Sequence, residues 1–240
     1  MNKKTVFKLK FLKKELILEK TYFPSNVIIP LGCDCHPANF LRKLNLRNHS
    51  FPFDWLSSRG IEGLNYVSDN LINDFKFFTF QLERNNRGYV VSKQYPNTEF
   101  MHEPDLIENE NSRNKFIRRI ERFGDVLKNE KCNFLYNISS FNCDSEERIL
   151  FFSKSVENFL KLIKNNSKLY IYIRFDENFN ENLFFCDKLK VELEKIKNVY
   201  VSKYIREKAK YGIWGDENKY PNLLKELGIN LKIKYQLKIE

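Results

Sequence analysis

Glycine-rich nucleotide-binding motifs and long apolar runs are both missing from this sequence of 240 residues, which contains only eight glycines. It has neither a G-x-G-x-x-G pattern nor a P-loop, so the usual dinucleotide and nucleotide fingerprints are absent. No apolar run approaches the ~20 residues that cross a bilayer. Lysines also interrupt the segment after the basic N-terminus, so it lacks the apolar region of a signal peptide. These absences predict a cytoplasmic protein without a transmembrane segment.

Paired metal ligands are missing as well. The chain has five cysteines, an odd number, and three of them are isolated in the sequence. No second C-x-x-C or H-x-x-x-H pair occurs that would complete a zinc site. We therefore expect free thiols in a reducing compartment and no metal or other cofactor. A structural metal site built from Cys33, Cys35 and His36 is the alternative.

Positive charge and aromatic side chains are plentiful. The net charge is +10, and aromatic residues make up 15% of the chain, enough to fill much of a core. A basic protein suits an anionic partner. Because the lysines and arginines are spread along the chain, we expect a small-molecule or glycan-linked anionic substrate and no nucleic acid.

The second half of the chain alternates between apolar strand-like runs and amphipathic helical segments. Strands are predicted at 132–138, 169–175 and 199–205, with helices at about 145–165 and 181–197. Such alternation is typical of a parallel sheet covered by helices on both faces. We predict an α/β fold, a three-layer sandwich with a mainly parallel sheet, in a single domain spanning 1–240.

Two further segments complete the predicted domain. Residues 1–25 form a basic N-terminal extension, either a short strand pair or an amphipathic helix. For this extension we favour a packed edge element over a peripheral membrane contact. Residues 50–110 form an insertion of β-hairpin and helical segments that serves as a lid or a cleft wall. Within it, strand-like stretches at 77–80 and 89–91 flank a turn at 85–88.

The stretch best suited to chemistry lies between a buried-type strand at 27–31 and a helix that begins near Pro37. In a doubly wound sheet, such a turn lies at the carboxyl edge, where ligands bind. The turn contains Cys33, Cys35 and His36. The helix dipole favours a thiolate near the helix start, and Cys35 lies closer to that start than Cys33. The first N–H groups of the helix could stabilise an oxyanion.

A cysteine nucleophile needs a base, and the sequence offers three histidines. His36 directly follows the candidate nucleophile, and neighbouring side chains in the first turn of a helix diverge. Of His49 and His102, we favour His102, which ends the predicted hairpin. Asp54 and Asp216 are candidate carboxylates for orienting the base. A structural role is the alternative for His102 and Asp54, and from the residues alone we favour it for both, with Asp54 as an anchor of its loop.

Other polar side chains are predicted to face the same cleft. Asn137 and Arg174 end neighbouring predicted strands, so a parallel sheet brings them together with Cys35. Asn137 could donate to an oxyanion, and Arg174 could bind a carboxylate or a phosphate. Arg118 and Arg122 lie on one predicted helix and would bind an anionic group if that helix turns them toward the cleft.

Four motifs of the sequence form a set: L-G-x-x-C-x-x-A-x-x-L from residue 31, S-F-P-F-D-W from residue 50, F-x-H from residue 100 and R-R-I-E-R-F from residue 118. The set resembles that of a family of uncharacterised microbial proteins described as papain-like cysteine peptidases. The resemblance implies Cys35 as the nucleophile and His102 as its base, to which we add Asp54 as the third member. It also implies a papain-like α+β fold, the alternative to the α/β fold predicted above.

The predicted function is a thiol-dependent hydrolase or acyltransferase that attacks an ester, amide or thioester carbonyl. Members of such families accompany surface-polysaccharide genes, which by analogy makes a glycan-linked acyl group the expected substrate class. The alternative from another class is a non-catalytic module that binds an anionic glycan or nucleotide through its arginines.

Overall fold

The computed structural model describes residues 3–9, 11, 14–58, 60–177 and 182–239. Parts of the predicted N-terminal extension and the first residue of the helix predicted at 181–197 lie outside these residues. The strands are β1 Lys3–Leu9, β2 Lys14–Pro24, β3 Val27–Pro30, β4 Ser57–Ser58, β5 Leu82–Arg84, β6 Val90–Ser92, β7 Tyr95–Glu99, β8 Cys132–Ser139, β9 Leu169–Phe175, β10 Val199–Ile205 and β11 Leu231–Ile239. The helices are α1 His36–Lys43, α2 Gly63–Ile72, α3 Glu110–Asn129, α4 Glu146–Leu162, α5 Leu183–Glu194, α6 Lys208–Tyr211 and α7 Tyr220–Glu226.

Four parallel strands form the sheet that positions the site. Their spatial order is β10–β9–β8–β3, and every neighbouring pair is parallel. Helices α4 and α5 provide the crossovers that parallel neighbours require. The predicted α/β fold with a parallel sheet is therefore confirmed, whereas the papain-like alternative places an antiparallel barrel in this part of the chain.

Apolar side chains pack on both faces of this sheet, because successive residues of a strand point to opposite sides. In β8, Phe134 and Tyr136 join a cluster that includes side chains of α2, α3, α4 and α5. Leu135 between them joins a second cluster with α1 and α7. Every residue of β9 is buried, which explains why all of them except Arg174 are aliphatic or aromatic.

The inserted region forms a second, antiparallel sheet in the order β4–β7–β6–β5. The strand predicted at 77–80 is wrong, because these residues form turns. Asp74 and Phe75 adopt left-handed backbone angles, with φ of 51° and 59°, and turn the chain just before this stretch. Phe78 is buried within the aromatic core, so a turn satisfies its apolar character as well as a strand would.

The third sheet joins the two ends of the chain. Strands β1, β2 and β11 pair antiparallel in that order. In the described residues the strand-pair interpretation of the N-terminal region is thus confirmed, and β11 adds a third strand. None of the helices in the described ranges is long and apolar enough to cross a membrane.

Candidate functional site

The turn from β3 to α1 lies at the carboxyl edge of the parallel sheet. Gly32 opens it with a left-handed φ of 42°. A Cβ at this position would lie 2.3 Å from the backbone oxygen of Asp34, so the turn requires glycine. Asn137 of β8 and Arg174 of β9 reach the same edge, as the end-of-strand argument predicts.

Asp34 contacts the other polar residues of this edge, which we call the Asp34 edge. Its Oδ1 accepts hydrogen bonds from the His36 backbone N–H at 2.9 Å and from Asn137 Nδ2 at 3.1 Å. Its Oδ2 forms an ion pair with Arg174. Burial opposes the charge, but the charge and hydrogen bond of Arg174, together with the His36 N–H, outweigh it and lower the pKa of Asp34.

A chain of alternating charges continues from Asp34 along the sheet edge. The Arg174 Nε lies 3.5 Å from Asp176 Oδ1, and Asp176 in turn pairs with Arg206 after β10. The side chain of Arg174 is only 9% exposed, so its guanidinium is committed to carboxylates of the protein. Sequence reasoning missed Asp34, Asp176 and Arg206. The last two follow strands directly, and the argument that selected Arg174 would have found them.

Cys35 directly precedes α1 and is half-buried, whereas the other four cysteines are buried. Its thiol is not activated in this arrangement. Burial and then the charge of Asp34 raise the pKa of Cys35 to about 11, although its own N–H, Arg174 and Arg206 act in the opposite direction. The expected thiolate-favouring effect of the helix start is therefore outweighed.

Cys33 differs from Cys35 in that it contacts the parallel sheet. Its backbone N–H donates to Asn137 Oδ1 at 3.3 Å, and its Sγ lies 3.5 Å from the same oxygen. Burial raises the pKa of Cys33 well above its ordinary range. Asn137 therefore uses its amide oxygen for Cys33 and its amide nitrogen for Asp34, and it fixes both residues of the turn.

His36 is a structural histidine. Its Nε2 contacts the Trp214 carbonyl oxygen at 3.1 Å, and its Nδ1 contacts the Tyr172 hydroxyl at 2.6 Å. A carbonyl only accepts, so Nε2 carries the hydrogen and Nδ1 accepts from Tyr172. Burial lowers the pKa of His36 to about 4, so the ring is neutral near pH 7.

The metal alternative is not supported by this geometry. Both ring nitrogens of His36 are hydrogen-bonded within the protein, and Cys33 faces Asn137. Across the part of the chain that the structure describes, no group of three His, Cys, Asp or Glu side chains is placed to hold a metal ion.

The burial of His36 predicts a pH dependence of stability. Between pH 6.5 and about 4, the unfolded chain binds a proton at His36 that the folded chain does not, so stability falls as pH drops through this window. The expected loss from this group is about 3 kcal/mol. Urea unfolding measures the decrease in the free energy of unfolding between pH 7 and pH 4.5. In His36→Gln this decrease should be smaller than in the wild type by most of that amount.

The control for this prediction is His49→Gln, because His49 is exposed on residues 47–56, which connect α1 to β4 and which we call the aromatic loop. This variant should keep the pH dependence of the wild type. Comparing differences between the two pH values cancels other titrating groups, including Asp54. An unchanged drop in His36→Gln would contradict the assignment.

The three residues of the predicted triad are not hydrogen-bonded to one another within the described ranges. His102 is exposed, and its ring lies edge-on to Trp55 with ring centroids 5.7 Å apart. Asp54 is buried in an ion pair with Arg47. The free protein therefore shows no assembled Cys35–His102 pair.

Asp54 anchors the aromatic loop that follows α1. Besides Arg47, it accepts a hydrogen bond from the Phe51 backbone N–H at 2.9 Å. Burial raises the pKa of Asp54 to about 6, against the opposing effect of Arg47. Asp216, the other candidate carboxylate, accepts from the Asn218 backbone N–H at 3.0 Å and caps a short turn.

Helix α3 does not bring its predicted arginines to the Asp34 edge. Arg118 is exposed, and Arg122 donates to the Ser50 backbone oxygen at 3.0 Å, which holds the aromatic loop. Arg119 between them turns inward and lies 3.9 Å from Glu103. In the described part of the chain, no hydrogen bond or ion pair links Arg118 or Arg122 to Cys35, Asn137 or Arg174.

A cleft of about 210 Å³ lies within the inserted region, between α2 and the β6–β7 hairpin. Its lining includes Ser58, Asp69 and Tyr95 but not Cys35. Ser58 connects it to the turn, because its backbone N–H donates to the Cys33 carbonyl oxygen at 2.7 Å.

The family described as "Putative papain-like cysteine peptidase" matches residues 26–94, and this confirms the motif resemblance in that stretch. The match contains Cys35 and Asp54 and ends before His102. The chain is also 26% identical over 217 residues to "Uncharacterized protein R408" of Acanthamoeba polyphaga mimivirus, a similarity that covers 80% of this chain and 93% of the relative. No solved structure matches the chain.

Proposed function

We propose that this chain, whose residues 26–94 match the papain-like cysteine peptidase family, is a thiol-dependent hydrolase or acyltransferase with Cys35 as its nucleophile. The position of Cys35 carries the proposal. It lies half-buried at the start of a helix on the carboxyl edge of a parallel sheet, where ligands bind in such folds. The other four thiols are buried, which favours Cys35 over each of them.

The raised pKa of Cys35 determines how the attack proceeds. A thiol with a pKa of about 11 is protonated near neutral pH, so the proton must leave as the new bond forms. The Sγ adds to the carbonyl carbon while a base takes its proton. The base then protonates the leaving oxygen, nitrogen or sulfur, and the bond from the carbonyl carbon to that atom breaks. Water releases the acyl group in a hydrolase, and a second nucleophile takes it in a transferase.

His102 is the base in this proposal. His36 is excluded because both of its ring nitrogens are engaged. His102 is exposed on the segment between β7 and α3, which leaves its ring accessible to a bound substrate. Catalytic hydrogen bonds that are open in a free enzyme can close in the substrate complex. Asp54 acts through the aromatic loop, because it holds the segment whose Trp55 packs against His102.

The Asp34 edge positions the turn. Asn137 and Arg174 hold the turn through Asp34, and neither is exposed. The His36 N–H is engaged by Asp34 and Pro37 has none, which leaves the Cys35 N–H beside its own sulfur as the nearest oxyanion donor. The net charge of +10 favours an anionic substrate.

The proposal also includes a substrate class and a cellular compartment. The substrate is an ester, amide or thioester whose acyl group is glycan-linked, by analogy with the family. The compartment is the cytoplasm, which fits five cysteines that are all free.

The test uses p-nitrophenyl acetate, an activated ester, as the probe. We expect mass spectrometry to locate an acetyl group on Cys35, and we expect Cys35→Ala to lose both adduct and turnover. His102→Ala should lower the rate of acylation by about 100-fold or more, the contribution typical of a general base. Iodoacetamide should label Cys35 before the other thiols, at a rate that rises toward pH 11.

Two matched variants serve as controls. Cys132→Ala removes a buried thiol at the start of β8, the opposite end from the site, and His49→Ala removes another exposed histidine. Both should retain the wild-type rate. Full turnover in Cys35→Ala would overturn the proposal. Full turnover in His102→Ala, with none in Cys35→Ala, would show that His102 is not the base while Cys35 is still the nucleophile.

A further inference from the structure

The sheet formed by β1, β2 and β11 extends away from the rest of the protein. At one end, Tyr22 and Leu231 pack into the cluster that contains α7. From there the exposed fraction of the apolar side chains in β11 rises steadily, from 48% at Ile233 to 65% at Ile239. The far end of the sheet therefore projects into solvent.

Apolar side chains gather on one face of this projecting end. Residues paired directly across antiparallel strands point to the same face. Phe7, Leu16 and Ile239 form one such row across the three strands, and Leu18 pairs with Leu237 in the next. Phe7 is 58% exposed and Leu237 63%.

A fully exposed aromatic residue lies beyond these rows. Phe11, between β1 and β2, is 101% exposed. We call Phe7, Phe11, Leu16, Leu237 and Ile239 the distal end. Exposed apolar side chains gathered at one end of a sheet indicate an interaction surface.

The segments that form this sheet account for most of the net positive charge of the chain. Residues 1–24 and 231–240 contain ten lysines and three glutamates, so they account for +7 of the net +10. Lys8 pairs with Glu15, and Lys238 pairs with Glu19. Several other lysines in β2 and β11 form no ion pair with described residues. The sheet that carries the apolar distal end thus has an excess of cationic charge.

We propose that the distal end docks into the surface of a bilayer that contains anionic lipids. Apolar side chains enter such a surface by about 5–10 Å, and lysines close to it gain attraction to the lipid headgroups. Eight residue steps separate Leu231 from Ile239, which is about 26 Å of strand. The contacts of Tyr22 and Leu231 with the α7 cluster therefore lie well above the depth of insertion.

The charge and the apolar side chains of this surface disfavour two other partners, a second copy of the chain and a nucleic acid. A second copy of the chain would bring two strongly basic sheets together, and lysines on edge strands oppose pairing of sheet edges. An anionic polymer such as nucleic acid would leave the aliphatic side chains Leu16, Leu237 and Ile239 without an apolar partner. A bilayer surface satisfies both the charge and the apolar face.

Co-sedimentation of the full chain with lipid vesicles tests this proposal. The chain should bind phosphatidylcholine vesicles that contain phosphatidylserine, bind vesicles of phosphatidylcholine alone far less, and dissociate at high salt. The double variant Leu237→Gln and Ile239→Gln should lower the partition coefficient more than about tenfold. Lys14→Gln removes a lysine from the end of β2 that lies beside the distal end, and it should lower the coefficient about fivefold.

The matched control is the double variant Ile72→Gln and Leu150→Gln. Both residues are 68% exposed on helices outside this sheet, so the substitutions are similar in chemistry and exposure. This variant should bind as the wild type does. Equal binding to neutral vesicles, or wild-type binding by the Leu237 and Ile239 variant, would overturn the proposal. If the wild type does not bind vesicles but forms a dimer in light scattering, and the Leu237 and Ile239 variant is monomeric, the partner of the distal end is a second copy of the chain.

Discussion

Asp34→Ala should lower the free energy of unfolding by about 3–5 kcal/mol, because it leaves the buried guanidinium of Arg174 with a single, longer contact to Asp176. The variant also removes the acceptor for the His36 N–H and for Asn137 Nδ2. Urea unfolding at pH 7 measures the loss. The same change to an exposed pair, Asp144→Ala opposite Arg148, should cost less than about 1 kcal/mol.

Two additional variants separate charge from packing. Combining Asp34→Ala with Arg174→Met should cost less than the sum of the two single changes, because no buried guanidinium is then left unpaired. Asp34→Asn removes the charge that raises the pKa of Cys35, so iodoacetamide should label Cys35 at lower pH than in the wild type. Equal losses for Asp34→Ala and Asp144→Ala would show that the edge network does not stabilise the fold.

Gly32→Ala should destabilise the protein by about 3 kcal/mol or more, through two effects that act together. The left-handed backbone costs an L-residue about 1–2 kcal/mol. The new methyl group also lies 2.3 Å from the Asp34 backbone oxygen, which a change of side-chain rotamer cannot relieve. The turn must shift, so Cys35 should lose its preferential labelling as stability falls.

Gly88→Ala isolates the first effect, the cost of the left-handed backbone. Gly88 also has a left-handed φ, of 80°, but nothing lies within 4 Å of a Cβ there. This variant should therefore show only the conformational cost of about 1–2 kcal/mol and unchanged labelling of Cys35. If both variants lose the same stability in urea unfolding, the close approach at Gly32 has no energetic consequence.

The regular elements of the second half were predictable from the sequence. The strands at 169–175 and 199–205 match β9 and β10 at both ends, because their apolar runs are short and bounded by polar residues. The stretch at 77–80 has a similar apolar pattern, yet it forms turns. A turn that buries Phe78 in an aromatic cluster removes its apolar side chain from water as well as a strand would. The local sequence pattern therefore cannot distinguish a turn from a strand here.

The roles of individual site residues were less predictable. The end-of-strand argument correctly brought Asn137 and Arg174 to the turn, but it assigned them to substrate instead of to Asp34. His36 was rejected as a base because of its position in the helix. The physical reason is that Tyr172 and Trp214, 136 and 178 residues away, occupy its two ring nitrogens.

By itself, the sequence determined the α/β alternation, the glycine turn at the carboxyl edge and the singling out of Cys35. These depend on periodicity and on backbone geometry, which are local properties of a chain. Only the tertiary structure decided the protonation of that thiol, the pairing of Asp34 with Arg174 and the joining of β2 to β11. Each of these depends on burial and on charges that folding brings together from distant positions, so no local pattern contains them.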